Sequence, residues 1–127
     1  MVGGLLTSYD FTGDELFLRK AEECAKKLMP AFDTQSGLPK ASVNLRSGAT
    51  SLPSWTGGAA ILAEVGTMQM EFAYLSQYVN NSVYANTALK VMDVLNSIKP
   101  ADKLYPMYIE VAPAKFRGGR KCRRIIV

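Results

Sequence analysis

Residues 12–30 read TGDELFLRKAEECAKKLMP, a tight turn followed by an amphipathic helix. Gly13 suits the turn, Asp14 or Thr12 suits the helix N-cap, and Pro30 ends the helix. Apolar residues recur along it at the three-to-four spacing that indicates one buried helix face. These residues are Leu16, Phe17, Ala21, Cys24, Ala25 and Leu28.

The turn is preceded by another helical segment, which we predict from Gly3 to about Phe11, so the two form a hairpin. A second hairpin is predicted from helices at about Ala59–Tyr78, with Thr56 as a plausible cap, and at about Val83–Ile98. It repeats the first at an offset of 67 residues. The aligned pairs are Phe17 with Tyr84, Ala21 with Ala88, Gly13-Asp14 with Asn80-Asn81, and Pro39 with Pro106.

Each repeat is therefore helix, tight turn, helix, loop and extended arm, over about residues 1–67 and 68–116. We expect strand only in the two arms, at about 38–46 and 104–112. Two hairpins leave one face of each without a neighbour, and stacked repeats bury such faces against further repeats. The pattern predicts an all-α fold in which two helical hairpins belong to a closed α/α toroid. An open solenoid is the alternative, although its repeats are usually shorter.

The net charge of +4 is concentrated at the end of the chain. Residues 1–114 carry nine basic and eleven acidic side chains, while the last thirteen residues carry six basic and no acidic ones. We therefore interpret 117–127 as a basic tail outside a domain that covers 1–116. A solvated tail is favoured over a contact with phosphate or an anionic membrane, so no nucleic-acid partner is predicted.

Several classes of site are excluded by composition. The chain has no histidine, which removes Ser-His and Cys-His nucleophiles and the most frequent zinc ligand. Its two cysteines, Cys24 and Cys122, have no motif spacing. We expect no targeting signal after Met1 and no membrane span, since the most apolar stretch contains Glu64 and Glu71.

Those two glutamates are the only charges in the 43 residues between Arg46 and Lys90. Seven residues apart on one predicted helix, they would share a face about 10.5 Å apart along its axis. The apolar surroundings predict carboxylates that are buried or open into an enclosed space. A structural ion pair with an arginine from another helix is the competing interpretation.

Three weaker motifs accompany them. Trp55 suits sugar stacking or, more often, packing before a helix. Gly57-Gly58 suits an anion site, although no phosphate-loop lysine follows. Asn80-Asn81-Ser82 has the form of an N-glycosylation acceptor, which has meaning only in a luminal or secreted protein.

The sequence resembles the class I α-1,2-mannosidases of glycoside hydrolase family 47 over residues 3 to about 116. The WTGGA segment at 55–59 is more similar to the Golgi members than to the endoplasmic reticulum member. The other motifs that carry the resemblance are GGLLTSY (3–9), TGD (12–14), LMPAF (28–32), SGLP (36–39) and ILAEVGT (61–67).

The resemblance implies part of an (α/α)7 barrel that binds calcium and removes terminal α-1,2-linked mannose from high-mannose N-glycans with inversion. It places the catalytic acid before Met1, and the basic carboxylates and the calcium-holding threonine after Val127. We therefore expect no catalytic residue and no metal ligand in this chain, and no turnover by it alone. Glu64 and Glu71 match family acidic positions and are the candidate cavity-lining, substrate-binding residues.

The resemblance also implies a parent protein in the lumen of the endoplasmic reticulum or Golgi, and we expect the isolated hairpins to self-associate through exposed faces. A second hypothesis is a non-catalytic relative that binds mannose-rich glycans in glycoprotein quality control. A third is a helical scaffold with no role in glycan processing, which the charge-poor region around the two glutamates disfavours.

Overall fold

The computed structural model describes residues 1–102 and 104–118 and is built mainly from helices. Four longer helices form two hairpins, in which α1 packs on α2 and α4 packs on α5. The α-helices are α1 (Val2–Thr12), α2 (Glu15–Leu28), α3 (Leu62–Val65), α4 (Gln69–Tyr78) and α5 (Val83–Ser97), with 3-10 turns at Met29–Phe32 and Ser54–Thr56. The short strands are β1 (Ser42–Val43), β2 (Thr50–Ser51), β3 (Ala60–Ile61), β4 (Tyr108–Glu110) and β5 (Lys115–Phe116).

The two hairpins turn in the same way, 67 residues apart. Gly13 after α1 and Asn80 after α4 both adopt left-handed backbone, with φ of 68° and 48°. One residue later, the Asp14 side chain accepts a hydrogen bond from the Leu16 amide at 2.8 Å. The Asn81 side chain accepts the equivalent bond from the Val83 amide at 3.1 Å. The mostly α-helical fold with paired hairpins is therefore confirmed, down to its turn chemistry.

The predicted third helix, Ala59–Tyr78, is wrong at its start and at a break in its middle, because only Leu62–Val65 (α3) and Gln69–Tyr78 (α4) are helical. Ala60 and Ile61 instead form β3, which pairs with Ile109 and Tyr108 of β4. The Leu62 amide continues this pairing to the carbonyl of Met107 at 2.9 Å. Pairing with a distant strand therefore overrides the helical pattern of the segment.

Thr56 does not cap a helix either. Its hydroxyl lies 2.8 Å from the Pro53 carbonyl and 2.6 Å from the Ala59 carbonyl, so it bridges two loop carbonyls. Gly57 and Gly58 both have positive φ, of 65° and 81°, and the chain reverses here before β3 begins. Thr56 therefore stabilises a loop and does not cap a helix.

The extended arms were placed correctly for β1 and β4, but strand structure is not confined to them. Each arm returns as a hairpin, giving the antiparallel pair β1-β2 and the antiparallel sheet β3-β4-β5. The expectation missed β2, β3 and β5, because these two-residue strands are too short to show an alternating pattern.

Arg117 belongs to this sheet region, one residue beyond the predicted domain boundary at 116. Its amide donates to the Tyr108 carbonyl at 3.0 Å. Its guanidinium lies 3.2 Å from Glu110 Oε1 and donates to the carbonyls of Thr56 and Gly57 at 2.9 and 3.2 Å. The remainder of the predicted tail, 119–127, lies outside the described residues.

The core lies between the hairpins and the loops that follow them. Phe72 of α4 is 1% exposed and its ring contacts Phe32 and Tyr84, with centroids 5.6 and 6.0 Å away. Ala21 and Ala88, at equivalent positions of α2 and α5, are both buried. Small residues at these positions allow close packing of the helices on either side.

A polar cluster joins α1 to α4 at the surface. Asp10 accepts hydrogen bonds from the hydroxyls of Tyr74 and Tyr78, at 2.8 and 2.7 Å on its two carboxylate oxygens. The Tyr9 ring contacts the Tyr78 ring edge to face at 5.1 Å. The hydrogen bonds that Tyr78 makes with Tyr74 and to Asp10 raise the pKa of Tyr78 above its ordinary range.

Some large apolar side chains remain outside the core, including Phe11 (86% exposed), Met70 (82%) and Trp55 (70%). The apolar surroundings from which buried or enclosed carboxylates were predicted are therefore themselves exposed at Met70. Among the described residues, no helix is long and apolar enough to cross a membrane. Self-association through the exposed hairpin faces stays a prediction.

Because Asp14 and Asn81 make equivalent caps, we expect Asp14→Asn to preserve the stability of the chain. Asp14→Ala removes the acceptor for the Leu16 amide and is expected to cost about 1 kcal/mol in the free energy of unfolding. Thermal and urea melts of the three proteins, followed by circular dichroism, measure the difference. Equal stability of Asp14→Ala and wild type would contradict the capping role.

The raised pKa of Tyr78 predicts a pH dependence. Its folded-state pKa exceeds the unfolded value of about 10, so its contribution to stability is complete below about pH 10 and is lost as the pH rises through the folded-state value. We expect Tyr78→Phe to flatten the fall in melting temperature between about pH 9.5 and 11. Tyr84, whose pKa is raised by burial and by Glu22, remains in both proteins. Parallel curves for variant and wild type would refute the assignment.

Candidate functional site

The two candidate glutamates lie on different helices. Glu64 is on the four-residue α3, and Glu71 is in the first turn of α4. Between them α3 ends at Val65, the amide of the following Gly66 donates to the Leu62 carbonyl at 2.9 Å, and α4 starts only at Gln69. The predicted two-turn spacing along a single helix is therefore wrong, because the helix is interrupted between the carboxylates.

Glu64 is exposed and lines a cavity of about 110 Å³ between α3 and the loop after α2. Lys40 lies on the same cavity wall and donates from Nζ to the Thr50 hydroxyl at 3.2 Å. The remaining lining is mostly apolar, from Leu28, Ala31, Pro39, Ala41, Val43, Ala60, Val65 and Met68. This cavity therefore presents one carboxylate and one ammonium group on an apolar floor.

Glu71 is half-buried, and its two oxygens have different surroundings. Oε2 is buried without a hydrogen-bond partner among the described residues. On the other side, Gly3 of α1 lies so close that a Cβ atom there would be 3.2 Å from Glu71 Cγ and 3.4 Å from Oε1. The absence of a side chain at Gly3 therefore gives the carboxylate its space beside α1.

Glu71 lines a second cavity of about 290 Å³, next to the first. Leu28 and Met68 line both cavities and so stand between the two glutamates. The other lining residues are Met1, Val2, Gly3, Thr67 and Phe72. The start of α1, the end of α2 and the start of α4 thus converge on the cavity that Glu71 lines, beside the cavity that Glu64 lines.

The chemistry available here is hydrogen bonding. A buried carboxylate oxygen without a partner is costly, and it is satisfied by a donor brought by a ligand or by another part of a protein. Glu71 occupies the first turn of α4, where the helix dipole favours a negative charge. The unpartnered oxygen therefore suits an acceptor that takes a hydrogen bond from a hydroxyl group.

A metal ion has no evident place among the described residues. No group of three or more Asp, Glu, Cys or His side chains that could hold one is found in 1–102 and 104–118. Calcium prefers about six to eight oxygen ligands, carboxylates among them. The described residues therefore do not fit a calcium site.

Sequence reasoning found the glutamates but not their surroundings. Gly3 entered only as part of the GGLLTSY motif, although a glycine inside a helix signals a close approach of another group. Met68 and Lys40 carried no signal, because their positions depend on the break after α3 and on the loop after α2.

Comparison with known sequences identifies the family. The chain matches glycosyl hydrolase family 47 over residues 1–124. It belongs to this family. The match includes residues 117–124, which the sequence analysis assigned to a divergent tail, and the division at 116 stays a prediction.

Three curated relatives share one activity in their names. The chain is 47% identical over 110 residues to mannosyl-oligosaccharide 1,2-alpha-mannosidase MNS1 of Arabidopsis thaliana, covering 86% of this chain and 20% of that protein. It is 42% identical over 116 residues to mannosyl-oligosaccharide alpha-1,2-mannosidase IA of Drosophila melanogaster, covering 91% and 17%. The mannosidase IB of Homo sapiens is 40% identical over 109 residues, covering 85% and 17%. The chain thus spans about a fifth of the length of these family members.

Gly3 and Gly4 provide a matched pair for testing the contact with Glu71. An added Cβ at Gly4 meets nothing within 4 Å, so Gly4→Ala should stabilise the chain by about 0.5–1 kcal/mol through helix propensity. Gly3→Ala has the same propensity gain but forces Glu71 to move, so its stabilisation should be smaller or absent. Thermal melts of the two variants measure this. Equal stabilisation would show that Glu71 does not occupy this space.

Proposed function

We propose that this chain is a segment of a mannosyl-oligosaccharide 1,2-α-mannosidase, which removes terminal α-1,2-linked mannose from high-mannose N-glycans with inversion. The observation that carries the proposal is the family match over residues 1–124. The names of relatives 37–47% identical to the chain support the activity and its oligosaccharide substrate. In the complete enzyme, these two hairpins would be two of the seven that close an (α/α)7 barrel.

Within that enzyme, we assign substrate contact to the two glutamates. Mannose is a neutral polyol, so its hydroxyls donate to carboxylates without placing a second charge in the site. A sugar hydroxyl at Glu71 would supply the donor that Oε2 lacks among the described residues. Glu64, exposed beside the neighbouring cavity, would contact a second part of the glycan, with Lys40 as a donor.

These contacts bind and orient the sugar but do not supply the chemical step. Inverting hydrolysis needs an acid that protonates the leaving oxygen and a carboxylate that activates water on the opposite face of the sugar. Glu64 and Glu71 line neighbouring cavities separated by Leu28 and Met68, an arrangement that does not place one sugar between them. The catalytic pair is therefore assigned to other parts of the enzyme, and the chain by itself is expected not to turn over substrate.

The calcium ion of the complete domain is assigned to residues outside those described here. When bound, such a hard cation supplies oxygen coordination that can hold sugar hydroxyls and water. We further propose that the parent protein works in the lumen of the endoplasmic reticulum or Golgi, where N-glycans are processed. The exposed apolar faces of the hairpins would then be covered by neighbouring hairpins of the barrel, and would drive self-association when those are absent.

The proposal is tested by exchanging this segment into an active relative. Mannosidase IB of Mus musculus aligns with 109 residues of the chain at 41% identity. We expect a chimaera that carries the aligned part of this chain to release mannose from a high-mannose glycan in the presence of calcium. Glu71→Gln in the chimaera should lower kcat/KM roughly 10- to 100-fold, because a hydrogen bond to a charged group is weakened.

The exposed Glu15 offers a matched control, since Glu15→Gln makes the same chemical change away from both cavities. Its kcat/KM should equal that of the unmodified chimaera. A folded chimaera that binds the glycan but releases no mannose would support a non-catalytic, glycan-binding relative instead. An active chimaera insensitive to Glu71→Gln would remove the assigned contact but not the family function.

A further inference from the structure

The turn between α4 and α5 carries Asn80-Asn81-Ser82, which the mannosidase proposal leaves unused. Asn80 is exposed and adopts left-handed backbone, with φ of 48°. The Asn81 amide donates back to the Ser76 carbonyl at 3.1 Å, a bond that closes the end of α4 around Asn80. Asn80 thus lies at the tip of the hairpin, where the chain reverses.

The hydrogen bonds that hold this turn come from other groups. The Asn81 side chain accepts from the Val83 amide, and the hydroxyl of the buried Ser76 accepts from the Ala85 amide at 2.8 Å. Ser82 is the N-cap residue of α5, but its side chain makes no cap bond. The Asn80 carboxamide and the Ser82 hydroxyl therefore have no hydrogen bond within the described part of the chain, and both residues are exposed.

The first hairpin shows what the turn requires for folding. Its left-handed position is Gly13, and Asn is the other residue that frequently takes this backbone at a helix end. The structural role thus accounts for Asn80 but not for Ser82, since the position equivalent to Ser82 is Glu15 in the first hairpin. The acceptor motif accounts for both residues together.

We propose that Asn80 is a site of N-linked glycosylation. In this step a bond forms between Asn80 Nδ2 and the anomeric carbon of a lipid-linked oligosaccharide diphosphate. The bond from that carbon to the diphosphate oxygen breaks, the lipid diphosphate leaves, and the amide proton passes to a base of the transferase. The product projects a bulky solvated glycan from a hairpin tip, where the turn keeps all the hydrogen bonds described above.

This inference rests on the proposed function only in assuming that the chain enters the lumen of the secretory pathway. The experiment therefore delivers the chain to that lumen directly. The full chain is translated with microsomes after a cleavable secretion signal, with a reporter acceptor sequence appended after Val127. Glycosylation of the reporter establishes delivery to the lumen. We expect wild type to carry two glycans, counted by endoglycosidase-sensitive bands, and Asn80→Gly and Ser82→Ala to carry one.

Two variants separate the acceptor from the turn. Asn80→Gly reproduces Gly13, so it should keep the fold while losing the glycan. Asn81→Asp reproduces Asp14, keeps the cap and the acceptor motif, and should keep two glycans. Enzymatic release of the Asn80 glycan without denaturant should show that the tip is exposed in the folded chain.

Wild type with the reporter glycan alone would overturn the proposal, as would an Asn80→Gly chain that still carries two. Neither result bears on the mannosidase proposal, which depends on mannose release by the chimaera.

Discussion

The reversal of the chain at two left-handed residues is the constraint on which the rest of this structure depends. Only Gly13 and Asp14 separate α1 from α2, so the second helix packs antiparallel to the first. Asn80 and the residues that follow it impose the same return on α4 and α5. Each reversal sets which helix faces pack together, and thereby brings the start of α4 beside the start of α1, where Glu71 meets Gly3.

These turns could be predicted from the sequence because their chemistry is local. A residue that tolerates positive φ followed by a capping side chain is visible without knowledge of the fold, and both pairs of residues took the predicted positions. The prediction of the third helix was wrong because the structure of that segment is set by distant residues. Ala60 and Ile61 follow a helical pattern, but their backbone pairs with Ile109 and Tyr108, nearly fifty residues later. Such a tertiary pairing leaves no mark in the segment itself.

In the candidate site, too, the local features could be predicted from the sequence and the tertiary ones could not. Glu64 and Glu71 could be found because charges in an otherwise uncharged stretch are unusual, whatever the fold. The position of one glutamate relative to the other could not be predicted, because it was inferred from one continuous helix. That helix is interrupted at Gly66. Leu28 and Met68 separate the two cavities because the end of α2 packs against the start of α4. This packing could not be read from the sequence.

The guanidinium of Arg117 has a consequence for how the chain folds. It donates to the carbonyls of Thr56 and Gly57, about sixty residues earlier, and the hydroxyl of Ser36 donates to the Val111 carbonyl across 75 residues. We therefore expect the loops of the first repeat to be completed only once the arm of the second repeat has docked. In most stacked-repeat proteins, each unit depends only on its immediate neighbours and folding can spread outward from any of them. Here, contacts of high sequence separation link the two units, and such contacts are expected to slow folding.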